Sequence, residues 1–387
     1  MDRIPLVVFS HLRWDSVFQR PHHVMTRIAR RRPVLFVEEP VQHEGAPMLE
    51  LIEVAPDLRV MRPHLDAPGP GFGGAQHRAL LASLRSWLMD EGWTQFDAWT
   101  YTPMAVRLAR ALDPSSLVYD CMDELSALRN TPEELIEREA ELLQHADHVF
   151  TGGPGLDRVK QALHPSVHCF PSSVDAGHFA MARRACDAPD QAALPRPRLG
   201  FFGVIDERMD LDILDALARR RPNWQIVMVG PIVKIDPSTL PQHPNLHYVG
   251  QRDYDDLPHY LAGWDVCLMP FALNETTRCI SSTKVLEYMA AERPIVSTPI
   301  ADVAEPYGDI VYLGRGATRF VAACDRAFAA SEAGRKRRHA LAREVLAATS
   351  WDHTVRRMEQ ILDGGATAFE RLARFGFPAR VTQGAPA

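Results

Sequence analysis

Short apolar runs alternate with amphipathic stretches along the first half of the chain. Four of the runs predict buried strands of a parallel sheet: Leu6–Ser10, Val34–Val37, Leu117–Tyr119 and His148–Thr151. The stretches between the runs carry apolar residues at helical spacing. They predict helices at His22–Arg31, Ala75–Glu91, Met104–Leu112 and Pro132–His145. This alternation of strands and helices predicts a doubly wound α/β layer.

The second half of the chain begins the same alternation again. Its predicted strands are Arg198–Gly203, Gln225–Gly230, Leu246–Val249, Val266–Pro270, Ile295–Ser297 and Ile310–Leu313, and its first predicted helix is Leu211–Arg220. Open α/β sheets bind ligands at the carboxyl ends of their strands. Two such domains joined once would therefore face a ligand across a shared cleft.

The domain boundaries follow from changes in composition along the chain. We expect an N-terminal Rossmann-like domain over residues 1–180 and a C-terminal one over 199–350. The segment 181–198 between them is rich in Ala, Pro and Arg and has no periodic pattern, which predicts a linker. Amphipathic helices at Trp351–Leu362 and near Thr367–Phe375 are expected to cross the domain junction over 351–376. Residues 377–387 are expected to be a disordered tail.

Composition narrows the class of protein. The net charge of −6 argues against a nucleic-acid binder, which usually carries a basic surplus. The six cysteines are scattered without a CxxC pair, which predicts reduced thiols in a cytoplasmic protein. The N-terminus has no signal-peptide pattern, and no apolar run approaches the roughly 18–20 residues of a membrane span. We therefore expect a cytoplasmic protein that would reach a membrane-bound substrate only from the surface.

The segment 279–298, CISSTKVLEYMAAERPIVST, carries the sharpest chemical pattern. Three hydroxyl residues can cap a helix that begins near Lys284: Ser281, Ser282 and Thr283. A helix N-terminus binds phosphate through free N–H groups, and Lys284 adds a full charge. Glu287 follows one turn later, where it could accept hydrogen bonds from ribose hydroxyls. An ordinary capped helix with a solvated Lys–Glu pair would explain the same spacing.

A second candidate segment, Leu199–Leu214, consists of a strand, a glycine, a loop and a helix. The strand ends at Gly203, and Arg208 in the loop could reach a diphosphate from the opposite side. No GxGxxG or GxxxxGK[ST] pattern occurs in this segment, which weakens a dinucleotide or P-loop interpretation. A loop whose charged residues are only solvated is the competing interpretation.

Polar residues also follow two strands of the N-terminal half. The loop Ser10–His23 brings hydrogen-bonding groups to the sheet edge that suit a sugar or another polar ligand: His11, Arg13, Trp14, Asp15, Gln19 and Arg20. The loop Tyr119–Glu124 offers three acid/base or hydroxyl-binding candidates, namely Asp120, Asp123 and Glu124. Both loops could instead be polar connections, and one of the three acids could cap the next helix.

The histidines predict no metal site. Neither His22–His23 nor His243 with His247 converges on a recognisable ligand set. Four arginines, Arg27, Arg30, Arg31 and Arg32, form a basic end to the first helix. They complement the helix dipole, and attraction to anionic lipid is the alternative.

Six phrases in the chain resemble retaining glycosyltransferases of the family-4 type, and a bacterial subgroup of them most of all. They are QRPHH, YDCMDE, PSSVD..HF, FFGVIDERMDLD, GQRDY..LP.Y and TKVLEYMAAERPIVST, and they occur in family order between about residues 5 and 363. The resemblance implies the GT-B fold, in which two Rossmann-like domains face a central cleft. The N-terminal domain would take the acceptor, through His11, Arg13, Trp14, Gln19 and Arg20, and the C-terminal domain the nucleotide-sugar donor.

The resemblance also assigns the donor site. Gly203 and Arg208 resemble the loop that holds the diphosphate, although Val204 stands where the family usually has arginine; Arg278 could supply the missing charge. The family's Glu-x7-Glu motif would end at Glu287, but its first glutamate falls on Cys279, and Asn274 or Glu275 could replace it. The turns Gly230–Pro231 and Gly250–Arg252 resemble those around the nucleobase. The implied donor-side residues are Gly203, Arg208, Gly230, Pro231, Arg252, Arg278, Ser282, Thr283, Lys284 and Glu287. Asp120 is placed on the donor-sugar side.

The implied reaction is hexosyl transfer with retention and without a metal or other cofactor. The donor would be a UDP- or GDP-linked sugar, and the acceptor a glycan or lipid-linked molecule of cell-envelope polysaccharide synthesis, reached by peripheral contact with the inner membrane at its cytoplasmic face. The catalytic candidates are Asp120, Asp123, Arg208, Lys284 and Glu287. Two alternatives remain: a nucleotide-sugar epimerase of GT-B architecture and a non-catalytic protein that binds a nucleotide or glycan.

Overall fold

The computed structural model of the chain describes residues 4–66, 71–74, 76–125, 131–274, 277 and 283–364. The described strands form two sheets. The strands of the first sheet are β1 (Leu6–Ser10), β2 (Val34–Glu38), β3 (Val41–Gln42), β4 (Met48–Ala55), β5 (Leu58–Leu65), β6 (Asp97–Thr100), β7 (Leu117–Cys121), β8 (His148–Thr151) and β9 (Val167–Cys169). Those of the second are β10 (Arg198–Phe202), β11 (Gln225–Val229), β12 (Leu246–Gly250), β13 (Val266–Met269), β14 (Ile295–Ser297) and β15 (Tyr312–Leu313).

Both sheets have the strand order of a Rossmann domain. The second sheet runs β12-β11-β10-β13-β14-β15, which is the order 3-2-1-4-5-6. The first runs β3-β5-β2-β1-β6-β7-β8-β9, with β4 added antiparallel on β5. All other pairs are parallel, as the apolar runs predict, because strands covered on both faces need no polar face. The doubly wound α/β prediction is confirmed.

The helices that cover the sheets alternate with the strands. They are α1 (Arg20–Ile28), α2 (Gln76–Asp90), α3 (Val106–Ala111), α4 (Glu133–His145), α5 (Pro154–Gln161), α6 (Ala176–Ala180), α7 (Pro189–Ala192), α8 (Leu211–Arg220), α9 (Leu257–Gly263), α10 (Lys284–Ala290), α11 (Ala301–Tyr307), α12 (Gly316–Phe328), α13 (Glu332–Ala347) and α14 (Trp351–Asp363). No helix of the described residues is long and apolar enough to cross a bilayer.

β1 lies in the middle of the first sheet and contributes side chains to two separate hydrophobic clusters. Val7 and Phe9 point into one cluster of buried side chains, and Leu6 and Val8 point into another, because successive strand residues face opposite sides. The second of these clusters includes Trp351 and other apolar residues of α14. The C-terminal helix therefore returns from the second sheet to pack on the first.

α14 also accounts for the basic end of the first helix. Arg31 donates to Glu359 of α14 at 2.8 Å, and Arg27 and Arg30 lie 3.4 and 3.5 Å from Asp352. Arg32 instead pairs with the buried Asp97. The four arginines are thus matched by carboxylates of this chain in the structure, which a helix-dipole argument did not anticipate.

The largest difference from the sequence prediction is the β4–β5 hairpin. Every residue of β4 is exposed or half-buried, because the strand forms the edge of the sheet, and β4 carries no continuous apolar run. A search for short apolar runs therefore passes over it. The predicted loop Leu65–Gly74 lies partly outside the described residues, at 67–70, and the predicted second C-terminal helix and tail lie wholly outside them.

The predicted linker contains short structured pieces. Residues 181–183 form a 3-10 turn, and α7 follows. Gln191 of α7 donates to the Tyr260 carbonyl at 2.9 Å and accepts from the Trp264 indole at 3.0 Å, so this part of the segment is anchored to the second sheet's helices.

Candidate active site

The carboxyl ends of the two sheets face a common cavity of about 250 Å³. Most of the predicted site residues line it: His11, Gln19, Arg20, Asp123, Gly203, Arg208, Gly230, Pro231, Arg252, Thr283, Lys284 and Glu287. They come from loops after β1, β7, β10, β11 and β12 and from the first turn of α10. The sheet topology brings these distant segments together because parallel strands end at one edge.

Gly203 makes room for the Lys284 side chain, and Gly230 makes room for the backbone of Gly203. Gly203 has φ +132°, and a Cβ there would lie 2.2 Å from Cε of Lys284. Gly230 has φ +144°, and a Cβ there would lie 2.0 Å from the Gly203 carbonyl oxygen. The strand-ending glycines are therefore required both for backbone conformation and for space.

Lys284 and Glu287 are held in the wall of the cavity and do not form a solvated surface pair. Glu287 is buried, and its Oε2 has no hydrogen-bond partner among the described residues. Burial raises the pKa of Glu287 to about 7, against the opposing effect of Lys284 and Thr283. Burial lowers the pKa of Lys284. No hydrogen bond or salt bridge of the Lys284 ammonium to another described residue occurs, although it lies 5.7 Å from the Phe201 ring centroid.

Arg208 stands opposite Lys284 on the loop after β10. Its Nε donates to both oxygens of Asp206 at 2.9 Å, and the loop is fixed further by the Arg208 backbone N–H, which donates to Asp206 at 3.0 Å. The positive charge of Arg208 lowers the pKa of Lys284, so the two cations act on the same space. Lys284 has no carboxylate within salt-bridge distance among the described residues, and Arg208 shares its charge with Asp206. Two cations beside one cavity favour an anionic ligand.

Arg252 occupies the rim of the cavity. It donates to the Tyr260 hydroxyl and to Asp190, both at 2.8 Å. Because Arg252 already donates to Tyr260 and Asp190, its charge is balanced within the protein. Its main contribution is to the shape of the cavity wall.

On the side of the first sheet, His11 and Asp123 line the cavity. Burial lowers the pKa of His11, and the charge of Asp123 works against this. Asp123 also interacts electrostatically with Arg208 of the second sheet. This carboxylate therefore faces both the histidine on its own side and the cation across the cleft.

Asp120 lies beneath the cavity and does not line it. Its carboxylate is completely buried and accepts from Arg20 Nη2 at 2.9 Å and from Arg20 Nε at 3.1 and 3.2 Å. Arg20 also donates to the Phe170 carbonyl at 2.7 Å. The pair ties the start of α1 to β7, so the contacts of Asp120 are structural.

Arg13 and Trp14 also lie away from the cavity lining. Glu38, completely buried at the end of β2, accepts from Arg13 at 3.0 Å and from the Trp14 backbone N–H at 2.7 Å. The Trp14 ring packs on Phe36 with centroids 5.0 Å apart. Both residues therefore bind to β2, and the sequence of the loop alone does not show these contacts.

Tyr254 is a lining residue that the sequence analysis did not single out. Its buried hydroxyl has no hydrogen-bond partner among the described residues. Burial raises its pKa, and the charge of Glu287 adds to that effect. Its ring stacks on His178 at 4.1 Å and contacts Phe18 of the opposite side at 4.4 Å. Tyr254 is the tyrosine of the phrase GQRDY, so the resemblance was the one signal in the sequence that could have pointed to it.

Several predicted residues fall outside the described part of the chain: Glu275, Arg278, Cys279, Ser281 and Ser282. Thr283 precedes α10 in helical conformation, and its side chain makes no capping hydrogen bond, so this member of the predicted cap set does not cap. Among the described residues, no group of three His, Cys, Asp or Glu side chains is placed to hold a metal ion.

Part of the chain is similar to known glycosyltransferases. Residues 196–330 match the family described as glycosyl transferases group 1. A putative teichuronic acid biosynthesis glycosyltransferase of Bacillus subtilis is 25% identical over 232 residues, which cover 54% of this chain. The match spans 58% of that relative, less than two thirds of its length.

Solved structures match over nearly the whole chain. Sucrose-phosphate synthase from Thermosynechococcus elongatus has a TM-score of 0.72 at 16% identity and covers 97% of this chain and 100% of its own. An α,α-trehalose-phosphate synthase (UDP-forming) from Burkholderia xenovorans in complex with glucose-6-phosphate has a TM-score of 0.68 at 12% identity, covering 93% and 100%. Anabaena HepE in complex with UDP and glucose has a TM-score of 0.65 at 13% identity, covering 94% and 100%.

These likenesses confirm the predicted two-domain architecture around a cleft. Residues 196–330 match the glycosyl transferases group 1 family, and the chain as a whole has the GT-B fold.

Proposed function

We propose that this protein is a retaining glycosyltransferase that transfers a sugar from a nucleotide-sugar to a glycan or lipid-linked acceptor. The observation that carries the proposal is the convergence of Lys284, Arg208 and Glu287 in one cleft, where Oε2 of Glu287 has no hydrogen-bond partner among the described residues. Two cations suit a diphosphate, and a buried carboxylate suits hydroxyl donors.

Each side of the cleft has its own role in the proposal. The second sheet binds the donor: Lys284 and Arg208 hold the diphosphate, Glu287 accepts from the ribose, and Gly230, Pro231 and Arg252 border the base. The first sheet presents His11, Gln19 and Asp123 to the acceptor. One neighbour of the same fold is in complex with UDP and glucose and another with glucose-6-phosphate, which supports a two-substrate cleft.

The proposed reaction needs no nucleophile from the enzyme. The acceptor oxygen bonds to the anomeric carbon on the face from which the diphosphate departs, and the bond between that carbon and the diphosphate oxygen breaks. The acceptor proton passes to the departing diphosphate. Lys284 and Arg208 stabilise the charge that develops there, and domain closure excludes water and aligns the reacting atoms.

The teichuronic acid relative supports a cell-envelope polysaccharide as the product. A lipid-linked acceptor would place the protein at the cytoplasmic face of the membrane, in peripheral contact.

A nucleotide-sugar screen tests the proposal. Purified protein is mixed with UDP-, GDP-, ADP- and dTDP-sugars, and its thermal unfolding is followed, since a ligand that binds only the folded state raises the midpoint. We expect one nucleotide class to stabilise the protein, and the sugar to be released from the nucleotide only with acceptor present. Conversion to a different nucleotide-sugar without acceptor would instead identify an epimerase. Binding without turnover against any acceptor would identify a binding protein.

Donor affinity is expected to rise with pH up to about 7. Because burial raises the pKa of Glu287 to about 7, the carboxyl is largely protonated below that pH and must ionise to accept ribose hydroxyls fully. Each pH unit below the pKa should therefore weaken binding by up to about ten-fold, and above it the affinity should level off. Calorimetry with a nucleotide-sugar between about pH 5.5 and 8.5 measures this, because the substituted diphosphate does not titrate there.

Glu287→Gln is the control for this profile. It should flatten the pH dependence and weaken nucleoside binding more than binding of inorganic diphosphate. An unchanged slope in the variant, or equal losses for both ligands, would remove the ribose role of Glu287.

A further inference from the structure

A second groove lies between α10, α13 and β15 and shares no lining residue with the cleft. Four basic side chains line it: Arg293, Arg335, Arg338 and His339. Three of them stand on α13 at spacing i, i+3 and i+4, so they share one face of that helix. Within the run RKRRH, the first, fourth and fifth residues line the groove, whereas Lys336 and Arg337 do not.

The groove has more positive charge than its carboxylate can balance. Glu292 is the one acid among the described lining residues, and it lies 3.2 Å from Arg183 and 3.6 Å from Arg343, neither of which lines the groove. Its charge is therefore already shared with arginines outside. The lining arginines are left with an excess positive potential, which favours an anionic ligand.

Two of the guanidinium groups also have unused donors. The buried Nε of Arg338 and that of Arg293 find no hydrogen-bond partner among the described residues. Arg338 lies over the Tyr312 ring, 4.2 Å from its centroid, which fixes the plane of the guanidinium. Buried donors without partners are costly. Arg293 also donates from Nη2 to the Ala262 carbonyl at 3.1 Å, and Arg335 donates from Nη1 to the Ala330 carbonyl. The terminal nitrogens of Arg338 make no hydrogen bond to another described residue and are left for the acceptor oxygens of a ligand.

We propose that this groove binds a phosphate group, with Arg293, Arg335 and Arg338 as its ligands. A phosphate group has several charged oxygens, and planar guanidinium groups bind it through bidentate hydrogen bonds. The source is a free phosphate or the headgroup of an anionic phospholipid. The site stands apart from the proposed donor cleft and does not depend on the activity there.

The pKa of His339 can report on an anion bound in the groove of the unaltered protein. Burial lowers its pKa, with Arg343, Arg183 and Arg335 contributing in the same direction against Glu292. A bound anion would oppose these arginines and raise the pKa of His339. NMR titration of the histidine ring, assigned with His339→Gln, follows this with inorganic phosphate as the probe. We expect an upward shift that saturates with phosphate, and an unmoved titration would argue against a free-phosphate site.

Matched variants separate the groove from general surface charge. Arg335→Gln with Arg338→Gln removes two charges that line the groove, whereas Lys336→Gln with Arg337→Gln removes two charges of the same helix that do not line it. Binding of inorganic phosphate, and co-sedimentation with phosphatidylcholine vesicles with and without phosphatidylglycerol, are measured for both.

The outcomes distinguish the two sources. We expect the groove variant to lose at least about ten-fold in affinity and the control to lose little. Loss confined to the phosphate arm identifies a free phosphate, and loss confined to the anionic vesicles identifies a headgroup. Equal losses in both variants, or no binding of either probe to the unaltered protein, would overturn the proposal.

Discussion

Asp120→Ala is expected to lower the free energy of unfolding by about 3–5 kcal/mol, because it leaves Arg20 as an uncompensated buried charge. Arg20 is 5% exposed and Asp120 is fully buried, so water cannot replace the lost partner. The three contacts between guanidinium and carboxylate also join α1 to β7, and their loss frees the start of the helix. Chemical denaturation followed by circular dichroism measures the change.

The double variant Arg20→Met with Asp120→Leu is the matched control. Removing both charges leaves no unpaired ion, so most of the stability should return, apart from the Phe170 carbonyl that loses its donor. A single variant as stable as the parent protein would contradict the structural role. Full stability with complete loss of turnover in Asp120→Asn would restore Asp120 as a catalytic residue.

Lys284→Ala and Arg208→Ala are each expected to weaken nucleotide-sugar binding by about 1.5–3 kcal/mol, the value of a hydrogen bond to a charged group. This corresponds to a loss of about 10- to 150-fold in affinity. Lys284 makes no salt bridge to a described residue, so its ammonium group is free to donate hydrogen bonds to a ligand, although the charges of Glu287 and Asp206 also act on it. Arg208 is shared with Asp206 and should give the smaller loss of the two. Isothermal titration calorimetry with the best nucleotide-sugar from the screen gives both values.

Arg219→Ala serves as the control for these two variants. Arg219 lies on the same half of the chain, and its side chain is 66% exposed, 3.7 Å from Asp215 and outside the cavity lining. It should bind donor like the parent protein. Unchanged affinity in both site variants would contradict the proposal that Lys284 and Arg208 bind the diphosphate. An equal loss of affinity in the control would show that the loss is a general effect of charge.

The sequence predicted the doubly wound fold well because burial on both faces leaves continuous apolar runs. β1, β8 and β14 begin and end where their runs do. The hairpin β4–β5 was missed for the opposite reason, since an edge strand with a half-exposed face has no such run. Gly203 and Lys284, on which the proposed diphosphate site depends, were likewise visible, because a strand-ending glycine and a lysine at a helix start are local features.

The partners of each polar side chain were not visible in the sequence. Arg13 and Arg20 stand in one polar loop, yet one pairs with Glu38 of β2 and the other with Asp120 of β7. Their partners lie 25 and 100 positions away, so only the order of strands in the sheet decides the pairing. The same holds for Tyr254, whose contact with Phe18 joins the two halves.

The sequence by itself thus determined two parallel α/β layers and the local features that suit a diphosphate, because hydrophobic period, glycine conformation and helix starts depend on neighbouring residues. Only the tertiary structure decided which charges stay free for a ligand. A charge is free when no other strand or helix brings it a partner, and that depends on how distant segments meet. Asp120 and Arg13 form salt bridges within the first sheet and its loops, whereas Lys284 and Glu287 face the cleft.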